Sequence, residues 1–223
     1  MLHFCFNINE KIMLTVFSKK IHHIVSGTQF LLMFCFSFLT VIANGEALVY
    51  TVMKGDDNVG EFRIDRKKIN DITEYTSQSV VKVNMLVTIK VTDKMKVSYN
   101  GNRMEKAELH RTLNGLVRVN NLAIWNGSSY HMTNKDKDVT TLRHLIHYST
   151  ASLYFLEPSN IPSVFSENFQ KMIAVKFNGN RKYTLELPNG NKTSYTYANG
   201  VCTLVEAETD WADIRFVLSK RIP

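Results

Sequence analysis

The chain has 223 residues, a formal net charge of +7 and 44% hydrophobic residues, which is enough apolar material for a core and too much for a disordered chain. No low-complexity tract, proline-rich linker or repeat period runs through it, which argues against fibrous, solenoid and propeller architectures. The positive charge is dispersed with no block of like charges, so composition argues against a nucleic-acid partner.

The first segment differs from the rest. Lys19 and Lys20 precede an uncharged run from Phe30 to Ile42, and Ala43, Gly45 and Ala47 follow it. A basic region, a short apolar run and a small-residue exit form the pattern of an export signal. The run is 13 residues long, shorter than the ~20 a membrane-spanning helix needs. The expected organisation is a leader over residues 1–43 and one β-rich domain over residues 44–223. Cleavage is expected after Ala43, with Gly45 and Ala47 as further exits. The expected location is periplasmic or secreted. The alternative is a membrane anchor made by an uncleaved leader, and membrane contact is expected only through that segment. Met13 is a second start that would shorten the leader to an ordinary length.

Export bears on the cysteines. Cys5 and Cys35 fall in the leader, so the mature chain keeps only Cys202 and no internal disulfide can form. Cys35 follows Met33-Phe34, not the small residues of a lipid-attachment site. Losing residues 1–43 removes three lysines and one glutamate, which lowers the net charge from +7 to +5. That balance suits attraction to anionic head groups or polysaccharide, and it suits solubility equally.

Beyond the leader, Leu48, Tyr50 and Val52 alternate with Val49, Thr51 and Met53 up to a turn near Gly55-Asp56-Asp57. Phe62 and Ile64 then alternate with charged neighbours. From Val81 to Tyr99 every odd position is apolar except Asp93, and lysines crowd the even positions. Period-two patterning of this kind is a strand with one face on a core. The 19 residues would extend about 63 Å at ~3.3 Å each, whereas a domain of this size is roughly 40 Å across. The stretch must therefore curl or fold back, and Asn84-Met85-Leu86 and Asp93-Lys94 are the expected breaks. A turn at the first leaves Met85 and Leu86 as an apolar tip.

Asn-Gly recurs at Asn100-Gly101, Asn114-Gly115, Asn126-Gly127, Asn178-Gly179, Asn189-Gly190 and Asn199-Gly200. Both residues tolerate positive φ, so type I′ hairpin turns are expected there. Strands are expected between them: Arg103–Thr112, Leu116–Trp125, Ser128–Thr133, Tyr183–Leu187, a return through Tyr195 and Tyr197, Val201–Ala207 and Ile214–Leu218. Leu142–Gln170 lacks alternation and holds Pro158 and Pro162. It is expected to be a short helical or irregular plug, or a crossover between two sheets. The fold class is thus all-β: a curved antiparallel meander, open barrel or half-barrel, with one such segment packed against it.

Candidate chemistry is sparse. His144 and His147 share the spacing of a helical ligand pair, with His131 and Glu157 as the nearest further groups, but no full metal signature exists. Cys202 sits among Val201, Leu204 and Val205 as a buried small residue. No nucleophile elbow, phosphate loop, dinucleotide fingerprint or calcium loop is present. Glu157 and Glu167 are the only carboxylate pair to consider for glycoside chemistry. No catalytic residue, metal or cofactor is assigned. Aromatics cluster instead. Tyr148, Tyr154, Phe155 and Phe165, with Met85 and Leu86 at the tip, are the candidate ligand-binding residues for a lipid or other apolar small molecule held between sheet and plug.

Several segments also resemble a known family. Leu153-Tyr154-Phe155, Glu157-Pro158, Val164-Phe165-Ser166-Glu167, Leu187-Pro188-Asn189-Gly190-Asn191 and the Tyr195, Tyr197, Asn199-Gly200 run are similar to the DUF6134 family of small exported bacterial β-rich proteins. The opening hairpin, Tyr50 to Phe62, resembles that family too, so the resemblance spans roughly residues 47–219. It implies no activity, cofactor or catalytic residue. By shape it implies an analogy to open-barrel carriers of lipids or lipoproteins in the periplasm. Binding of an apolar or amphiphilic ligand at the cell envelope is the expected function. The alternatives are a filled-core interaction module and an envelope hydrolase using Glu157, Glu167 or a histidine.

Overall fold

The alternation written in the sequence becomes one antiparallel sheet. The computed structural model describes residues 43–84, 88–209 and 212–223. The expected leader, apart from its last residue Ala43, and the expected tip at Met85 and Leu86 lie outside the described residues. Among these, fourteen strands form: β1 (Ala43–Lys54), β2 (Asp57–Ile69), β3 (Ile72–Asn84), β4 (Thr88–Asn100), β5 (Arg103–Leu113), β6 (Leu116–Trp125) and β7 (Tyr130–Thr133). They continue as β8 (Val139–Leu142), β9 (Ser163–Ser166), β10 (Lys171–Phe177), β11 (Lys182–Glu186), β12 (Lys192–Ala198), β13 (Val201–Glu208) and β14 (Asp213–Ile222).

The strand order is β8-β7-β6-β5-β4-β3-β2-β1-β14-β13-β12-β11-β10-β9. The first described strand therefore lies in the middle of the sheet. The chain walks outward by hairpins to β8, crosses to the opposite edge at β9, and walks back until β14 pairs with β1. Leu48, Tyr50, Val52, Phe62, Ile64, Val97 and Tyr99 point to one buried face, as their spacing requires. Residues Ala43–Pro223 form a compact unit of their own, and its hydrophobic core draws on strands from both halves of the sheet. Among the described residues no helix is long and apolar enough to cross a membrane.

The Val81–Tyr99 stretch folds back, at the first of the two expected breaks. β3 ends at Asn84, β4 begins at Thr88, and the two pair through Val83↔Ile89. The second expected break is absent, because β4 runs unbroken through Asp93 and Lys94. All six Asn-Gly sites lie at turns, but only Asn114-Gly115 and Asn199-Gly200 place both residues at positive φ. At the other four the glycine alone takes it, so those turns are not type I′. The β2–β3 hairpin turns on Asn70-Asp71, with Asn70 at φ 53°.

Between β8 and β9 the chain crosses the buried face of the sheet, and its only regular piece is a 3-10 turn at Ser152–Tyr154. Tyrosine hydroxyls pin this segment. Tyr130 Oη donates to the Met104 carbonyl at 2.8 Å and accepts the Ile146 N–H at 3.3 Å. Tyr197 Oη donates to the Leu153 carbonyl at 2.7 Å. The segment joins two edges of one sheet, so it is the expected plug and not a link between two sheets.

β8 and β9 remain the edges of the sheet, so no strand ladder closes it. Side-chain amides bring the turn after β9 against β6 and β7 instead. Asn121 Nδ2 donates to the Glu167 and Asn168 carbonyls at 2.9 and 2.8 Å. Gln170 Nε2 donates to the Leu122 and Thr133 carbonyls, both at 3.0 Å. The result is a barrel-like curl with a polar seam.

Candidate functional site

Curling leaves a cavity of about 600 Å³ between the inner face of the sheet and the crossing segment. Its wall is largely apolar, with Phe62, Val81, Leu109, Ile214 and Phe216 among its members. Tyr154 enters from the crossing segment. Its ring centroid lies 4.9 Å from Phe62, 5.5 Å from Tyr50 and 6.1 Å from Tyr195. Tyr154 and Tyr195 both line the cavity, and neither hydroxyl has a protein partner among the described residues. Desolvation holds both phenols well above the ordinary tyrosine range, so they stay neutral donors.

Polar groups interrupt this wall at defined places. Asp93, the lone charge on an otherwise apolar strand face, points inward and accepts Arg111 Nε at 2.6 Å. Arg111 also donates to Asn168 Oδ1 at 3.2 Å. Arg118 lines the same cavity from β6. It is the extra residue of a bulge, because Thr112 pairs with Val117 and Arg111 with Val119. Bulges re-aim side chains in this way. Glu208 lines the cavity from β13, on the opposite half of the sheet, and its carboxylate accepts the Lys192 N–H at 2.8 Å.

Deeper in the wall sits Glu167, only 3% exposed. Its carboxyl accepts the Thr150 hydroxyl and the Ala151 N–H. Burial raises its pKa above the ordinary carboxylate range, and the Thr150 hydrogen bond opposes that rise in part. Among the described residues, Tyr99 Oη and Ser149 Oγ are buried and make no hydrogen bond of ordinary geometry, although the Ser149 hydroxyl faces both the Tyr99 hydroxyl and the Glu167 carboxyl.

The candidate residues separate. Tyr154 lines the cavity. Phe155 is buried beneath it, against Tyr75 and under the Arg66 guanidinium at 4.8 Å. Phe165 is fully buried, and its N–H donates to the Tyr148 carbonyl. Tyr148 faces a second cavity, of about 820 Å³, at the other end of the sheet beside Arg66, Lys68 and His147. Met85 and Leu86 lie outside the described residues.

The carboxylate pair is not brought onto one wall. Glu167 lines the cavity and Glu157 does not. Glu157 instead accepts Arg181 Nε at 3.0 Å and Tyr183 Oη at 3.1 Å, and Arg181 holds its carboxyl below the ordinary range. His147 Nδ1 lies 2.9 Å from the Asn102 carbonyl and His144 is exposed. Among the described residues no three His, Cys, Asp or Glu groups gather as a metal site. Cys202 is fully buried, its Sγ faces the Leu204 carbonyl at 3.4 Å, and burial pushes its thiol up to about 12.

Sequence reasoning did not single out Asp93, Arg111, Arg118 or Tyr195 as site residues. The signal for Asp93 was present, as the one break in an apolar face. The bulge that turns Arg118 inward leaves no mark in composition.

Comparison with known proteins places this architecture. Residues 50–219 match a family described as a domain of unknown function, DUF6134. A crystal structure described as a beta-barrel-like protein of domain of unknown function DUF1849 from Brucella abortus superposes with a TM-score of 0.53 at 9% identity. The match covers 82% of this chain and 98% of that one, and at such identity the likeness is one of fold. No curated protein matches the sequence.

Proposed function

The chain belongs to the DUF6134 family of domains of unknown function, and since that family carries no assigned activity we propose one from the cavity: the domain binds one apolar or amphiphilic small molecule without transforming it. The observation that carries this reading is the 600 Å³ cavity, apolar in its wall and polar at named points. Its volume falls within the range of small-molecule sites, about 300–1,000 Å³. An apolar body would lie against Phe62, Leu109 and Phe216, with the free hydroxyls of Tyr154 and Tyr195 as donors to any polar group buried with it. Arg118 and Glu208 would meet a head group. Binding is favoured over catalysis because, among the described residues, the wall carries no histidine or cysteine. Asp93 is already paired and Glu167 already hydrogen-bonded.

We place the protein at the cell envelope, on the basic, apolar and small-residue pattern of its first segment. The test is displacement of a fluorescent hydrophobic probe by fatty acids and phospholipids. Wild-type protein is expected to take up the probe and release it to an amphiphile. Ala207→Phe, which adds a ring to the cavity wall, is expected to lose most of the uptake. A wild-type protein that takes up no probe refutes the reading and leaves a filled-core interaction module.

A further inference from the structure

One rim of the cavity carries exposed groups of which the ligand site uses only Arg118. Leu116 and Val117 are 63% and 42% exposed immediately after the Asn114-Gly115 turn. They are held firmly in place. The Asn114 N–H donates to the Lys90 carbonyl at 2.8 Å, and Asn114 Oδ1 accepts the Lys90 N–H at 2.7 Å. The β5–β6 turn is thereby locked to the start of β4. Lys82 and Lys90 are direct cross-strand partners there, and both are exposed. Like charges placed opposite each other repel and cost stability. Among the described residues neither lysine has an acidic partner, nor does Arg118 beside them. Val81, Val91 and Leu113, which neighbour this cluster in register, line the cavity.

We propose that this rim, Leu116 and Val117 with Lys82, Lys90 and Arg118, docks onto an anionic bilayer surface and holds the cavity mouth against it. The unrelieved lysine pair finds its counter-charge in lipid head groups. The two aliphatic side chains enter the head-group layer. Charge and apolar insertion are the two separate signals that reversible membrane contact requires. Glu208, on the opposite half of the sheet, lines the same cavity and opposes such docking on its own side. Docking does not depend on what the cavity holds, whereas the transfer of a ligand between cavity and membrane rests on the function proposed above.

The experiment is co-sedimentation of residues 43–223, first shown to be folded by a cooperative thermal transition, with vesicles of phosphatidylcholine alone, or of phosphatidylcholine mixed with phosphatidylglycerol. Binding to the mixed vesicles only is expected. Lys82→Gln with Lys90→Gln should weaken it roughly fivefold for each lysine removed. Leu116→Ser with Val117→Ser should weaken it as well. Lys135→Gln with Lys137→Gln, exposed lysines on the β7–β8 loop, should leave it unchanged. Equal binding to neutral vesicles, no vesicle binding, or equal loss in the Lys135 and Lys137 variant overturns the proposal. So does binding to a soluble anionic polysaccharide without binding to vesicles. Probe uptake measured without vesicles keeps the two ideas apart. Both rim variants should retain it, and its absence in the wild type refutes the ligand cavity while leaving docking to stand or fall on the vesicles.

Discussion

Replacing Gly60 by alanine tests whether the curl depends on a close approach between β2 and β3. A Cβ at Gly60 would lie 2.3 Å from the Val80 carbonyl oxygen and 2.9 Å from Val81 Cα. Its φ is outside the left-handed region, so space, not backbone freedom, is what requires glycine. Both close atoms belong to backbone and cannot rotate away. Restoring ordinary contact moves β2 off β3 by about 1 Å, beside the bulge at Val59, directly opposite Val81 of the cavity wall and two residues from Phe62. Backbone displacement of this kind costs about 1–3 kcal/mol, and a weakened ladder hydrogen bond adds about 1 kcal/mol. At about 2–4 °C per kcal/mol for a domain of this size, the melting temperature should fall by roughly 5–15 °C. Gly45→Ala is the control, because nothing lies within 4 Å of a Cβ there. It should be neutral or slightly stabilising through the unfolded chain. Thermal and urea unfolding of both variants measure this. Equal stability of Gly60→Ala and wild type, or equal damage at Gly45, would refute the reasoning.

Three further outcomes are expected. Tyr197→Phe removes the 2.7 Å bond to the Leu153 carbonyl and leaves a buried acceptor unpaired, which should cost about 1–3 kcal/mol in urea unfolding; an unchanged midpoint would mean that the crossing segment is held by packing alone. Burial raises the Glu167 pKa above its unfolded value, so its contribution is complete at pH below the unfolded pKa and is lost as pH rises through the folded one. Glu167→Gln should therefore show a flatter stability profile than wild type from acidic to neutral pH, and two parallel profiles would contradict that assignment. Cys202 should resist a thiol reagent in the native state and react fully in urea, since it is buried and its thiol is pushed up to about 12; fast native labelling would show that the strand opens.

Much of the sheet was legible because its determinants are local. Strict alternation in β1 and β4 marks which face is buried, and Asn-Gly marks where the chain reverses. Turn type was less legible, because the φ of Asn100 or Asn189 depends on the twist of the flanking strands as well as on the dipeptide. The short strands β8, just ahead of the irregular segment, and β9, inside it, were missed, since four residues at an edge carry little periodicity. Within that segment the aromatic cluster was visible, but not its division. Phe155 and Phe165 serve the core, Tyr148 faces the far end, and Tyr154 and Phe169 reach the cavity. Arg118 depends on a bulge, and Arg111 on a pairing with Asp93 across strands. Register of that kind is settled by tertiary packing, beyond the reach of a single segment.

The pairing of β1 with β14 governs how the domain can be assembled in time. Almost every other ladder joins neighbours in sequence, so each half of the sheet can zip up hairpin by hairpin. The central pair is different: Ala47 meets Ile222, and Ser219 Oγ donates to the Val49 carbonyl over a sequence separation of 170. Loop-closure entropy grows only slowly with length, so this remote contact costs little at equilibrium. It does weigh on the folding rate, which falls as native contacts become more distant in sequence. The ladder between the two half-sheets needs β14, the 10 residues Asp213–Ile222. A growing chain of this topology cannot complete its fold before synthesis reaches that strand.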